Sequence, residues 1–274
     1  MRGAPALWPG QIGAAPPRRQ VRVMRATLWI NRRQPVLPRP RICGKTKRSV
    51  ADGRAWQMTD FATRRMMMVD TQIRPSDVTK FPIIDAMLTV PREVYVPRAL
   101  REVAYMSENV VVAPNRVLLE PRTFAKLLDT LNIQPVESVL DVGCGLGYSC
   151  AVIARLAEAV VGLEEDEQLA AEAQRTLSAE GVDNAAVIVG PLTSGAGRHG
   201  PYDVITVEGA VETVPQSLLD QIKEGGRIGC IFMEGPLGVA RIGYKVDGAI
   251  TWRPVFNASA PVLPGFEVKR DFAL

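Results

Sequence analysis

The stretch Val139-Leu140-Asp141-Val142-Gly143-Cys144-Gly145-Leu146-Gly147 decides the fold of this chain. A short apolar run of strand type ends directly in three glycines at alternate positions. Glycines placed straight after a strand let the backbone turn tightly, and they let a ligand lie against the main chain where a Cβ would collide with it. The pattern therefore predicts a strand, a tight turn and a helix, with an adenosine-type cofactor bound at the turn.

The spacing of these glycines and a downstream acid narrow the type of cofactor. A dinucleotide site uses G-x-G-x-x-G to hold a pyrophosphate, whereas this loop has G-x-G-x-G, so no pyrophosphate is implied. Glu164 follows Gly145 by 19 residues (164 − 145) and closes a second apolar run, 159–163. A carboxylate at this place is expected to bind both ribose hydroxyls. A glycine-rich turn in some other α/β protein is the competing interpretation.

This order of strand, glycine turn, helix, strand and carboxylate resembles motif I and the following acidic position of the class I S-adenosylmethionine-dependent methyltransferases. The resemblance implies S-adenosyl-L-methionine as the cofactor. The candidate cofactor-binding residues are Asp141, Gly143, Cys144, Gly145, Gly147, Glu164, Pro191, Leu192 and Glu208.

Apolar runs and helical patterns alternate regularly along the second half of the chain, which predicts an α/β, doubly wound, mostly parallel Rossmann-like sheet. The expected strands are 138–142, 159–163, 185–189, 202–207 and 226–232, and the expected helices are 148–158, 166–180 and 215–223. Antiparallel edge strands are expected after Val239, and an N-terminal helical segment before the sheet, with helices at 62–72, 77–89 and 123–131. Ligands of such sheets bind beyond the carboxyl ends of the strands. We therefore expect one crevice to be lined by four segments, which are the glycine turn, Glu164, 190–192 and 208–210.

Residues 1–57 differ sharply in composition from the rest of the chain. They hold 13 Lys and Arg, seven prolines and one acidic residue, so their net charge is +12. Because the net charge of the whole chain is +4, residues 58–274 carry a net charge of −8. We expect this basic segment to be disordered or a mis-called start with translation from Met58; a targeting segment and a nucleic-acid or membrane-surface arm are the alternatives. Residues 58–274 are expected to form one domain, with a substrate-side helical part at 58–135 and a cofactor-binding sheet at 136–274.

Other residue types exclude several classes of function. The cysteines Cys43, Cys144, Cys150 and Cys230 form no C-x-x-C pair, which favours reduced thiols in the cytoplasm. His199 is the one histidine and lies in a glycine-rich run, so we expect an exposed loop residue and no metal site. No apolar stretch approaches the length of about 18 residues that predicts a membrane span. The negative charge of residues 58–274 argues against a nucleic-acid partner.

Segments on both sides of the glycine loop resemble protein-L-isoaspartate O-methyltransferases. The matching positions include Met68-Val69-x-x-Gln72-Ile73, Val90-Pro91-Arg92-Glu93-x-x-Val96-Pro97, Ala104-Tyr105, Pro121-x-x-x-Ala125 and Tyr202-Asp203-Val204-Ile205, within roughly residues 62–235. The resemblance implies methylation of the abnormal carboxylate at isomerised aspartyl residues, the first step in repairing damaged proteins, with such a protein or peptide as the partner. A carboxylate is already ionised at pH 7, so this chemistry needs orientation and no general base. No catalytic residue is assigned.

Three departures from that family concern the expected site. The family's active-site serine is replaced by Leu119, which lies with Glu120 and Pro121 on the expected substrate side. Gly190-Pro191-Leu192 stands where the family has Gly-Asp-Gly. Pro191 therefore offers neither the carboxylate of the family's Asp nor a backbone N–H. Glu208 replaces a small or hydroxyl residue and would oppose a carboxylate substrate unless Arg122 or another cation compensates. A methyltransferase for another substrate and a cofactor-binding but idle module are therefore kept as alternatives.

Overall fold

The computed structural model of the protein describes residues 60–268. The expectations for residues 1–57, including Cys43, lie outside these residues. The helices are α1 Asp60–Met68, α2 Phe81–Thr89, α3 Pro121–Leu131, α4 Tyr148–Ile153, α5 Glu167–Ala179 and α6 Gln216–Leu219. The strands are β1 Val110–Ala113, β2 Arg116–Leu118, β3 Ser138–Val142, β4 Ala159–Glu164, β5 Ala185–Val189, β6 Tyr202–Val211, β7 Ile222–Glu234, β8 Leu237–Val246 and β9 Ala249–Asn257.

The strands from β3 to β9 form a sheet with the order β5-β4-β3-β6-β7-β8-β9. The first five strands in this order, β5, β4, β3, β6 and β7, run parallel to one another. Strands β8 and β9 are antiparallel and form one edge of the sheet. Because β3 pairs with β4 on one side and with β6 on the other, the strand order switches at the carboxyl end of β3. The predicted doubly wound, mostly parallel sheet is thus confirmed, and its switch point holds the glycine loop.

Helices cover one face of this sheet through an apolar stripe. In α3 the stripe consists of Phe124, Leu127, Leu128 and Leu131, which are all buried and spaced for a single helix face. A Cβ added at Gly229 of β7 would lie 2.9 Å from Leu127, so the glycine allows α3 to approach the strand. The opposite face packs against shorter elements, including Leu218 of α6 and the C-terminal residues Leu263 and Phe266.

The N-terminal helical segment follows the expected pattern with shifted boundaries. Met68 is buried while Met66 and Met67 are half exposed, as three successive methionines on one helix require. The helix continues from α1 through a π turn at Val69–Ile73. The second helix begins at Phe81 rather than at 77, because Asp77 has a left-handed backbone with φ 68° that a helix cannot contain.

The expected helix at 215–223 is wrong over its second half. Helix α6 ends at Leu219, and β7 begins at Ile222, where it pairs with Tyr202 of β6. The Nζ of Lys245 donates to the carbonyl oxygens of Leu219 and Ile222, which fixes this early turn into the sheet. The expected helix at 148–158 is likewise shorter, since α4 ends at Ile153.

Two segments near the switch point differ from the prediction: no hairpin was expected before α3, and the edge strands expected after Val239 end at Asn257. Strands β1 and β2 form a hairpin over residues 110–118. The segment 258–268, named here the cover segment, runs along the end of β6, where Ala210 N donates to the carbonyl oxygen of Pro261 and Leu263 N donates to that of Ala210. This contact extends β6 to Val211, beyond its expected end at 207. Within residues 60–268, no helix has the length and apolar character needed to cross a membrane.

Candidate active site

The glycine loop after β3 needs glycine because of its backbone angles. Gly143, Gly145 and Gly147 have φ angles of 76°, 55° and 90°, in the left-handed region that L side chains rarely adopt. Gly147 also lies against α5, where an added Cβ would come within 3.2 Å of the Cβ of Ala173. The loop therefore turns sharply from β3 into α4, as the sequence predicted.

The sheet register brings three of the predicted site residues to one level. Val142 at the end of β3 lies beside Leu163 of β4 and beside Val207 of β6. The next residues along these strands are Gly143, Glu164 and Glu208. They stand side by side at the carboxyl ends of three adjacent strands, which is where a ligand of such a sheet binds.

Glu164 is fully buried and accepts hydrogen bonds from backbone N–H groups of the glycine loop and of the residues after β4. Its Oε2 accepts from Gly145 N at 3.0 Å. Its Oε1 accepts from the backbone N–H groups of Glu165 at 2.8 Å and Asp166 at 3.2 Å. The carboxylate is thus held rigidly against the glycine loop.

Arg116 completes the surroundings of Glu164, and it is the site residue that sequence reasoning missed. Its Nε lies 3.0 Å from Oε1 and 3.1 Å from Oε2 of Glu164, and its Nη2 lies 2.9 Å from Oε1. The Arg116 side chain is only 6% exposed. The sequence does contain a signal for the hairpin, because a Pro-Asn turn at 114–115 follows the apolar run 110–112. A hairpin alone, however, does not indicate that Arg116 contacts Glu164, which lies 48 residues further along the chain.

Asp141 and Glu208 form an acidic pair beneath the loop. Burial raises the pKa of Asp141 to about 6, and the thiol of Cys150 donates to its Oδ2 at 3.0 Å. Burial and the nearby Asp141 raise the pKa of Glu208 well above its ordinary value, while Arg92 acts in the opposite direction. The hydroxyl of Thr206 donates to Glu208 Oε1 at 3.1 Å. Two carboxylates in one buried region favour the neutral acid form.

Arg92, and not Arg122, is the cation that acts on Glu208. It is fully buried, with its guanidinium 4.9 Å from the ring centre of Tyr148. Its Nε donates to the carbonyl oxygen of Ala104 and its Nη2 donates to that of Leu119, each at 2.6 Å. Arg92 therefore connects the substrate-side segment to the acidic pair under the loop.

The expected substrate-side residues lie at the start of α3. Leu119 is 2% exposed, so its side chain is part of the core rather than a surface of the site. Glu120 precedes the helix, where its N–H donates to Asn109 Oδ1 at 2.7 Å and its Oε2 accepts from the Thr123 hydroxyl at 2.8 Å. Pro121 occupies the first turn, where a missing N–H costs nothing.

The residues at 190–192 are divided between the site and the surface. Leu192 is buried, and its Cδ1 would lie 3.8 Å from a Cβ placed on Gly143. Pro191 is exposed and begins a short 3-10 turn. Gly190 N donates to the carbonyl oxygen of Glu164 at 3.0 Å, which ties this turn to the end of β4.

The cover segment reaches the glycine loop through Leu263. This side chain is 1% exposed, and its Cδ1 would lie 3.1 Å from a Cβ on Gly143. Its Cγ and Cδ2 would both lie 2.7 Å from a Cβ on Gly209. Leu263 thus fills the space above two glycines that the sequence assigned to a ligand.

The remaining chemistry-bearing side chains lie elsewhere. His199 is exposed in a short turn at Gly197–His199, as expected. Cys144, Cys150 and Cys230 are buried thiols without disulfides. Across residues 60–268 there is no group of three His, Cys, Asp or Glu side chains that could hold a metal ion.

The residue types of this site match an adenosine-type cofactor, and in the arrangement described here the chain's own groups occupy the expected binding positions. The carboxylate of Glu164 offers about four acceptor positions, and five nitrogen donors already surround it. Leu263 covers the turn where a nucleoside would touch the main chain. Pro191 has no N–H to offer to a base. The crevice is therefore closed by the chain's own residues.

Comparisons with known proteins identify the family of this chain. The family model described as Protein-L-isoaspartate(D-aspartate) O-methyltransferase (PCMT) matches residues 64–233. A protein-L-isoaspartate O-methyltransferase of Syntrophus aciditrophicus (strain SB) is 35% identical over 171 residues, which are 62% of this chain and 78% of that protein. One from Synechococcus sp. (strain JA-2-3B'a(2-13)) is 38% identical over 168 residues, 61% of this chain and 69% of that protein.

Solved structures support the same fold. A protein-L-isoaspartate O-methyltransferase structure has a TM-score of 0.63 and 22% identity, covering 74% of this chain and 65% of that chain. A Plasmodium falciparum structure, described as a beta-aspartate methyltransferase in complex with S-adenosyl-L-homocysteine, has a TM-score of 0.63 and 20% identity, covering 74% and 97%. The matched residues include the glycine loop, Glu164 and Glu208. The chain therefore belongs to the protein-L-isoaspartate(D-aspartate) O-methyltransferase family.

Proposed function

We propose that this chain is an S-adenosyl-L-methionine-dependent O-methyltransferase that methylates the carboxylate of isoaspartyl residues in proteins or peptides. Family membership and the relatives' activity, given by their names, support this proposal. The observation that carries it within the molecule is the alignment of Gly143, Glu164 and Glu208 at one level of the sheet. This level combines a glycine turn for a nucleoside with a carboxylate for its ribose.

We propose the following residues for the cofactor side: Asp141, Gly143, Cys144, Gly145, Gly147, Glu164, Pro191, Leu192 and Glu208. Glu164 has the strongest support, because its carboxylate lies against the loop and is fully buried. Pro191 has the weakest, because it is exposed and lacks an N–H. Leu119, Glu120 and Pro121 are the proposed substrate-side residues.

The acidic pair is compatible with a carboxylate substrate because of its surroundings. The raised pKa of Glu208 favours the neutral form of this side chain, which donates a hydrogen bond to a carboxylate instead of repelling it. Arg92 adds a buried positive charge on the same side. Together these groups can orient an acceptor that needs no deprotonation at pH 7.

The domain and compartment follow from the same proposal. We assign residues 58–274 to one methyltransferase domain, with 58–135 on the substrate side, 136–274 as the cofactor-binding sheet, and 1–57 outside the domain. The family match over 64–233 lies inside this range. The three buried thiols without disulfides support a reducing compartment such as the cytoplasm.

A methyl-transfer assay tests the proposed function. The full chain is incubated with S-adenosylmethionine carrying a labelled methyl group and with a peptide containing isoaspartate, and in parallel with the same peptide containing normal aspartate. We expect label on the isoaspartyl peptide alone. Equal labelling of both peptides would contradict the substrate. The absence of labelling by protein that binds S-adenosylhomocysteine would contradict the activity itself.

A further inference from the structure

The carboxylate proposed for the ribose is already bound by an arginine of the same chain. Arg116 contacts both oxygens of Glu164 at 3.0 and 3.1 Å through Nε, and its Nη2 reaches Oε1 at 2.9 Å. Both side chains are almost completely buried. Two ribose hydroxyl groups cannot bind the same oxygen atoms while Arg116 remains there, because the N–H groups of Gly145, Glu165 and Asp166 occupy the other acceptor positions.

The main-chain surface proposed for the nucleoside is covered by a second element. Leu263 of the cover segment lies against the Cα positions of both Gly143 and Gly209. The N–H groups of Glu212 and Thr213 donate to the carbonyl oxygen of Phe266 at 2.9 and 3.0 Å, which holds this segment on the end of β6. The hairpin that carries Arg116 also contributes Val112, whose Cγ2 would lie 3.9 Å from a Cβ on Gly145.

The side chain of Asn109 connects the two coverings. Its Nδ2 donates to the carbonyl oxygen of Ser259 in the cover segment at 2.9 Å, and Asn109 immediately precedes β1. Its Oδ1 accepts from Glu120 N. Movement of the hairpin is therefore linked to movement of the cover segment and to the start of α3.

We propose that Arg116 and Leu263 form an autoinhibitory closure of the cofactor crevice, in which the guanidinium of Arg116 competes with the ribose of the cofactor for Glu164. This inference rests on the proposed function. The cofactor binds only to an open state in which the hairpin and the cover segment have moved away. The apparent affinity is then the intrinsic affinity reduced by the fraction of open molecules.

Calorimetric titration of the full-length chain with S-adenosylhomocysteine tests this closure. Replacing Arg116 with glutamine removes the competing charge, and Leu263→Ala removes the covering side chain. If about nine-tenths of the molecules are closed, each change tightens binding by up to about tenfold. Arg227→Gln is the matched control, because Arg227 forms a similar two-oxygen pair with Glu137, each contact 2.8 Å, near the amino end of β3. It should leave the affinity unchanged.

Hydrogen exchange of the wild-type chain gives an independent readout that uses no substituted protein. Addition of S-adenosylhomocysteine should speed amide exchange in 110–118 and 258–268 and slow it in 143–147. Unchanged exchange in both covering segments while the ligand binds would overturn the closure.

The titration distinguishes failure of this inference from failure of the proposed function. Wild-type binding with equal or weaker binding by folded Arg116→Gln and Leu263→Ala proteins would overturn the closure and leave the proposed cofactor in place. An absence of binding by wild type and by both variants would overturn both. Tighter binding by both variants than by Arg227→Gln would support the closure.

Discussion

The buried pair between Arg116 and Glu164 makes a quantitative prediction about stability. Glu164→Gln leaves the Arg116 guanidinium, which is 6% exposed, without its counter-charge. Loss of one partner of a buried pair costs about 3–5 kcal/mol. The new NH2 group also faces a loop N–H that had donated to the carboxylate, which adds about 1 kcal/mol for a lost hydrogen bond.

Replacing the arginine instead of the glutamate should lower the free energy of unfolding by a smaller amount. Arg116→Gln leaves the carboxylate of Glu164 with three backbone N–H donors, one from the glycine loop and two from the residues after β4, so the remaining charge is still partly compensated. We expect about 1–3 kcal/mol for this variant. Since about 1 kcal/mol shifts the Tm of a domain of this size by about 2–4 °C, Glu164→Gln should lower it by about 8–24 °C and Arg116→Gln by about 2–12 °C.

Urea unfolding and thermal melting at pH 7, followed by circular dichroism, measure these differences. The double variant Arg116→Gln with Glu164→Gln completes the cycle and should be more stable than Glu164→Gln alone, because no uncompensated charge remains. The reasoning is refuted if Glu164→Gln costs less than Arg116→Gln, or if the two single effects simply add in the double variant.

Three further predictions concern the glycine loop and its neighbours. The pKa of Asp141, about 6 in the folded protein against an ordinary 3.8, means that the folded state holds more protons in this interval; stability should therefore fall by about 2 kcal/mol as the pH rises from about 4 to 6, and by about 3 kcal/mol in all once the pH exceeds about 7. Asp141→Asn should remove this dependence of stability on pH, so the Tm of the variant should rise relative to that of wild type as the pH increases. Equal pH dependence of the two Tm values would contradict the raised pKa of Asp141. Leu119→Ser should lower the urea midpoint, because removing a buried side chain costs about 2–5 kcal/mol. The same variant should increase methyl labelling of the isoaspartyl peptide per folded molecule. Unchanged labelling would show that residue 119 has no role in methyl transfer. Gly147→Ala should lower the Tm more than Gly181→Ala: both have positive φ, but at Gly147 the new Cβ meets Ala173 at 3.2 Å, while at Gly181 it meets no atom of residues 60–268 within 4 Å.

The parallel core of the fold could be predicted because its signals are local. Each strand from β3 to β6 is an apolar run between turn residues, and the glycine loop follows β3 directly. The register then places Glu164 and Glu208 beside the loop without further information, because parallel strands align their carboxyl ends. The expected positions of Gly143, Glu164 and Leu192 near one crevice agree with the structure.

The closure of that crevice could not be predicted, because it depends on contacts between distant segments. Arg116 in a three-residue strand has the sequence appearance of a solvent-exposed charge, and its burial follows only from the path of the hairpin. Leu263 lies beyond β9 in the stretch 239–274, where edge strands were expected, and it is fixed instead by backbone hydrogen bonds to β6. The error over 220–223 has the same origin, because pairing of Ile222 with Tyr202 overrides the local helical pattern.

The position of the cover segment along the chain has a consequence for biosynthesis. Gly143 and Leu263 are 120 residues apart (263 − 143), so the glycine loop leaves the ribosome well before the residues that close it. At about 5–20 residues per second this interval lasts roughly 6–24 s. During that time Leu263 does not yet cover the loop, so only Arg116, which precedes the loop in the chain, limits access to Glu164. The finished protein must displace Leu263 as well. Cofactor present during translation and cofactor added afterwards should therefore load the enzyme at different rates.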